Sequence, residues 1–172
     1  MKKYALILLV LISGITFGQE VPKVLKTGFS KEALAQTITM QDGKKTTMSK
    51  ILAKHKGKIV LVDLWASWCG DCVKAMPEAE KLKEKNPDID FIYLSLDRKE
   101  DSWKNGIVKH KISGSENYWF ADGWKNEFNN YIDLNWIPRY MVINQKGKIA
   151  KYYAIVPQDP EIQKTIDNLT KM

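Results

Sequence analysis

Residues 58–65, KIVLVDLW, form an almost unbroken apolar run rich in valine and isoleucine. Such a run marks a strand covered on both faces, since a half-exposed strand alternates apolar and polar residues. A second run, DFIYLSLD over 90–97, has the same character. Between them, from Gly70 onward, apolar residues return every three positions at Val73, Met76, Ala79 and Leu82. That spacing predicts a helix with one buried stripe. Pro77 falls inside the stripe and predicts a kink in the helix, not its end.

The remaining pattern predicts shorter elements around this strand–helix–strand unit. Residues 35–40 and 45–48 flank the turn pair Asp42-Gly43 and read as a small hairpin. Ser49 is placed to cap a helix running to Lys54, which Gly57 ends. Asp101 or Ser102 caps a further helix reaching about Lys111; 112–121 reads as irregular, and 122–131 as a short aromatic-rich helix. Strands over 139–144 and 148–154 bracket a turn at 145–147. Asp159 or Pro160 opens a final helix with Ile162, Ile166 and Leu169 on one face. The order predicts an α/β fold: a central mixed sheet with helices on both faces and an N-terminal β-hairpin.

The N-terminal 18 residues change the picture of where this domain works. Lys2 and Lys3 precede an apolar run over 5–12, and small or short residues follow to Gly18. This reads as an export signal cut after Gly18, too short to span a bilayer comfortably. If the segment is retained, it serves as a membrane tether. Residues 19–34 then form a polar lead and 35–172 one domain. The chain carries a net charge of +7, to which Lys2 and Lys3 contribute two. The remaining excess is interleaved with acids in stretches such as 81–85, the signature of solvated helix faces, and it excludes a nucleic-acid stripe.

The chemistry is concentrated in WASWCGDC, residues 65–72, which holds both cysteines of the chain. A lone C-x-x-C serves as half a zinc site, a small structural disulfide or a cycling redox pair. Zinc is disfavoured because His55 and His110 lack the spacing of a second ligand pair, and both read as surface histidines beside lysines. A structural disulfide closing so tight a loop removes little chain entropy.

VDLWASWCGDC, with Pro77 further on, Ile137-Pro138 before a strand and NQKGKI after it, resembles the thioredoxin superfamily, and within it the exported TlpA/ResA type. The likeness covers roughly residues 35–172. Three positions depart from the family pattern: Asp71 stands where proline is common, Arg139 where threonine is common, and Asp63 where exported members often carry Asn or Glu.

The resemblance implies a thioredoxin-like fold and a protein-disulfide reductase, with a disulfide oxidase or isomerase of the same fold, or a non-catalytic binding module, as alternatives. Cys69 is then the nucleophile, its pKa lowered from about 8.5 by the start of a helix, and Cys72 the resolving thiol. Asp63, a carboxyl inside an apolar strand, takes the Cys72 proton, unless it pairs instead with a lysine such as Lys58. Pro138 is expected to be cis, presenting the Ile137 backbone to substrate, and Trp68 to offer a flat apolar contact. Asp71 disfavours the Cys69 thiolate and so tilts the pair toward reduction. No cofactor beyond the Cys69–Cys72 disulfide, and no metal, is implied. The expected partners are protein disulfides, in roles such as cytochrome c maturation, and a membrane thiol reductase as electron donor. The expected form is a monomer outside the cytosol, in the periplasm. The aromatic region 112–136 either docks clients or packs as a core flap, packing being the expected role.

Overall fold

The computed structural model describes residues 21–171. The expected export signal and the first two residues of the lead lie outside the described residues. Helix α1 (Lys31–Ala35) starts where the Ser30 hydroxyl accepts the Ala33 N–H. It leads into the hairpin β1 (Thr37–Met40) and β2 (Lys45–Thr47), whose turn uses Gly43 at φ 82°, a left-handed conformation that suits glycine. Helix α2 (Met48–Lys54) and strand β3 (Val60–Trp65) follow, then helix α3 (Gly70–Lys85), strand β4 (Asp90–Ser95) and helix α4 (Glu100–Lys109). The chain closes with β5 (Glu116–Trp119), α5 (Glu127–Tyr131), β6 (Arg139–Ile143), β7 (Ile149–Ala154) and α6 (Pro160–Thr170). No helix among the described residues is long and apolar enough to cross a membrane.

The seven strands form one mixed sheet in the order β2-β1-β5-β4-β3-β6-β7, flanked by the helices. Strand β3 lies near its centre, parallel to β4 and antiparallel to β6. All six of its residues are buried, so both of its faces are covered, as the unbroken apolar run requires. Alternation along β3 places Leu61, Asp63 and Trp65 on one face and Val60, Val62 and Leu64 on the other. The register sets Asp63 opposite Tyr93 of β4 and Tyr140 of β6, which fixes the surroundings of the carboxyl.

Several element boundaries differ from the sequence expectation. Thr47, not Ser49, caps α2, its hydroxyl accepting the Lys50 N–H. Helix α4 begins at Glu100 without a side-chain cap, so neither Asp101 nor Ser102 fills that role. The supposedly irregular 112–121 contains β5, held as a strand between β1 and β4. Its Trp119 stacks on Trp103 of α4, ring centroids 6.0 Å apart. Helix α5 starts only after Asn126, whose side chain accepts the Asn129 N–H.

Candidate active site

The site is built on the junction between β3 and α3. Strand β3 ends in the fully buried Trp65; after the equally buried Ala66 the chain turns, with Cys69 N–H donating to the Ala66 carbonyl at 3.1 Å. The turn is held from below by Asp97, a fully buried carboxylate just past the end of β4. Its Oδ2 accepts the Ser67 N–H at 3.1 Å, its Oδ1 the Ser67 hydroxyl at 2.6 Å, and Oδ2 also the Ser95 hydroxyl. Three donors satisfy a charge that would be costly to bury unpaired. Sequence reasoning missed Asp97. Its signal was present: a serine and an aspartate closing a buried parallel strand fall beside the turn that follows its neighbour. Helix α4 packs against the same turn so closely that a Cβ on Gly106 would lie 2.7 Å from Ser67 Cβ.

Cys69 is the N-cap of the sixteen-residue α3, with extended backbone at φ −82° and ψ 102°. Its Sγ accepts the Cys72 N–H at 3.1 Å, in the place an N-cap oxygen normally takes. Unpaired amides and the positive end of the helix dipole therefore meet this sulfur, the arrangement that favours a thiolate. Cys69 and Cys72 are joined in a disulfide with Cα atoms 5.3 Å apart, and both are buried. Asp71 is exposed in the first turn, with its carboxylate 3.7 Å from Lys74 Nζ.

The Ile137–Pro138 peptide is cis, and the Ile137 carbonyl oxygen lies 3.7 Å from Cys69 Sγ. Beside the pair opens a groove of about 420 Å³, lined by Trp68, Asp71, Trp124, Asn135, Trp136 and Ile137 together with Cys69 and Gly70. Trp68 is 54% exposed and Trp136 45% exposed, so the rings present apolar surface to solvent. The aromatic region thus divides. Tyr118, Trp119 and Phe120 are buried, while Trp124 and Trp136 reach the groove. Trp124 packs against the core as well as lining the groove, so packing holds for it, whereas Trp136 is exposed in the groove. Trp65 is a core residue, edge-on to Tyr93.

Asp63 is 2% exposed and is not among the residues that line the groove. Burial pushes its pKa up to about 7, and a hydrogen bond with the Tyr140 side chain partly opposes that rise. Its Oδ1 has no hydrogen-bond partner among the described residues. Its partner is Tyr140, not a lysine; Lys58 is exposed. The Asp63 charge in turn helps raise the Tyr93 and Tyr140 hydroxyls above their ordinary range, after burial. A carboxyl that changes charge near neutrality can store or release one proton.

The histidine expectation needs correction. His55 is buried: its Nδ1 lies 2.7 Å from Asp90 Oδ2 and its Nε2 3.3 Å from Glu116 Oε2, at the end of the sheet remote from the cysteines. Its lysine neighbours in sequence suggested surface, but acids at the starts of β4 and β5 draw the ring inward. His110 is half-buried with its ring edge-on to Trp65. Among the described residues no His, Cys, Asp and Glu cluster suits a metal ion.

A family model described as Thioredoxin-like matches residues 57–149. Thiol-disulfide oxidoreductase ResA of Bacillus cereus is 32% identical over 89 residues, covering 51% of this chain and 49% of that protein. Chloroplastic thioredoxin F of Oryza sativa is 31% identical over 75 residues, covering 44% of this chain and 39% of that protein. These matches thus span half or less of the curated relatives' own length. A solution structure of a candidate thiol-disulfide oxidoreductase from Bacteroides vulgatus superposes with a TM-score of 0.67 at 28% identity, covering 83% of this chain and 91% of that one.

Proposed function

Because the chain belongs to the thioredoxin-like family, we propose that it is a thiol-disulfide oxidoreductase acting as a reductase of protein disulfides outside the cytosol. The observation that carries the reading is the placement of Cys69 Sγ. It caps a long helix, is bonded to Cys72, and borders an open apolar groove.

In the reduced protein, Cys69 thiolate attacks one sulfur of a client disulfide. A mixed disulfide forms and the first client sulfur leaves as a thiolate that takes up a proton. Cys72, one helical turn on, then loses its proton and attacks Cys69 Sγ. The client's second sulfur leaves as a thiolate, the Cys69–Cys72 disulfide forms, and two electrons have passed to the client; of the two protons its thiols take up, one comes from solvent and the other balances the proton lost by Cys72. Asp63 receives the Cys72 proton, a role supported by its burial and its pKa near neutrality. Trp68 and the Ile137 backbone, both lining the groove, receive the client segment, and Pro138 holds the turn there.

By family likeness the oxidised pair is returned to the dithiol by a membrane thiol reductase, and clients include cytochrome c precursors awaiting haem. Residues 1–18 serve as the export signal to the periplasm, 19–34 as a lead and 35–172 as the domain, which works as a monomer. Reduction of an insulin-type interchain disulfide by the dithiol form, lost in Cys69→Ser, tests the activity. A measured potential near −120 mV would replace the reductase with an oxidase.

A further inference from the structure

Arg139 directly follows the cis proline and is completely buried. Burial disfavours its charge and pulls its pKa down. Among the described residues it has no ion pair. Asp133, the acid that acts on it, is held by Lys26 Nζ at 2.5 Å and the Tyr152 hydroxyl at 2.8 Å. Instead Arg139 Nη1 donates to the Ile132 carbonyl at 3.4 Å and Nη2 to Asn135 Oδ1 at 3.3 Å, while its guanidinium carbon lies 4.3 Å from the centroid of the Tyr153 ring. Its Nε has no hydrogen-bond partner among the described residues. A small residue in this place would spare the desolvation of a charge. What the guanidinium adds is a rigid planar fork reaching two acceptors at once.

Both acceptors belong to the loop between α5 and β6. The residues that follow them, Trp136 and Ile137, form a wall of the groove, and the Ile137 carbonyl faces Cys69 Sγ. We propose that Arg139 is a positioning residue: its buried fork fixes residues 132–137 and so sets how tightly an extended polypeptide carrying a disulfide docks against Cys69. The proposal rests on the reductase reading above. It assigns Arg139 to docking, leaving the reactivity of the sulfur to α3.

The test compares wild type, Arg139→Lys, Arg139→Met and Asn135→Ala for reduction of an unfolded polypeptide disulfide and of oxidised glutathione. It adds the rate of iodoacetamide alkylation of Cys69 in a Cys72→Ser background. Arg139→Lys and Arg139→Met should raise KM for the polypeptide about tenfold or more, the scale of a misplaced binding wall, with kcat within about twofold. Glutathione disulfide turnover and alkylation should not change. Asn135 is exposed, so Asn135→Ala tests the loop without burdening the core. It should raise KM in the same direction, and the double variant should cost less than the two singles together. The proposal is overturned if the polypeptide KM stays within about twofold of wild type in the Arg139 variants and in Asn135→Ala, or if alkylation and glutathione turnover fall as the polypeptide KM rises. Failure of wild type to reduce any polypeptide disulfide would sink the reductase reading itself, and this proposal with it.

Discussion

Cys69 Sγ is held between two backbone groups of opposite character, the Cys72 N–H at 3.1 Å on the helix side and the Ile137 carbonyl at 3.7 Å on the other. The amide favours the thiolate and belongs to the helix; the carbonyl belongs to the wall of the groove beside the sulfur. In the proposed mechanism, nucleophile activation and client docking meet at this one atom.

The first consequence concerns the reduced protein. Alkylation of Cys69 by iodoacetamide should follow a titration midpoint below the value of about 8.5 typical of free cysteine. Asp71 is exposed and opposes this. Asp71→Asn should lower the midpoint further, stabilise the dithiol form and make the potential less negative. The shift should be on the order of 10–20 mV, small because solvent screens the charge. An unchanged or more negative potential would contradict the account.

Asp63 links stability to pH. With its pKa raised from 3.8 in the unfolded chain to about 7 in the fold, the native state binds the extra proton between those values. Stability should therefore fall as pH rises from about 4 to 7 and level off above. The penalty above neutrality is on the order of 4 kcal/mol. Asp63→Asn removes it, so the variant should melt higher than wild type at pH 8 and the two should converge near pH 4. The same change should slow the Cys72 step by about a hundredfold and let mixed disulfide accumulate, visible by quenched-flow mass analysis.

The turn carrying the cysteines depends on two contacts from other elements. Gly106→Ala would place a Cβ 2.7 Å from Ser67 Cβ and should cost about 1–3 kcal/mol in chemical denaturation. Asp97→Ala leaves the Ser67 and Ser95 donors without their acceptor, and should cost about 1–3 kcal/mol per buried group left unsatisfied. Both should reduce client turnover more than a surface substitution of equal stability loss. Wild-type stability in either variant would show that the turn stands without these supports.

The elements readable in the sequence are those whose signal is internal. Strand β3 announces itself because a doubly covered strand needs apolar residues throughout, and α3 because its stripe repeats at helical spacing. Strand β5 was invisible because ENYW begins with polar residues. It is a strand only by pairing with β1 and β4, with Asn117 donating to the Ile112 and Ser115 carbonyls. The site divides the same way. Cys69, Cys72 and Ile137-Pro138 are carried by short local motifs. Asp97 is marked only by the serine and aspartate that close β4, while the buried state of Arg139 and the inward turn of His55 are set by residues far away in the chain, and no local pattern encodes those two.

The measurement that tests the central claim most directly is a trapping experiment. Cys72→Ser, reduced and then mixed with a polypeptide disulfide, should retain one client chain through Cys69, seen as a covalent adduct by intact mass and placed by peptide mapping. Dithiothreitol should release it, and Cys69→Ser should form none. If the Cys72→Ser protein stays unmodified while its Cys69 is reduced and alkylatable, Cys69 is not the attacking sulfur and the account fails.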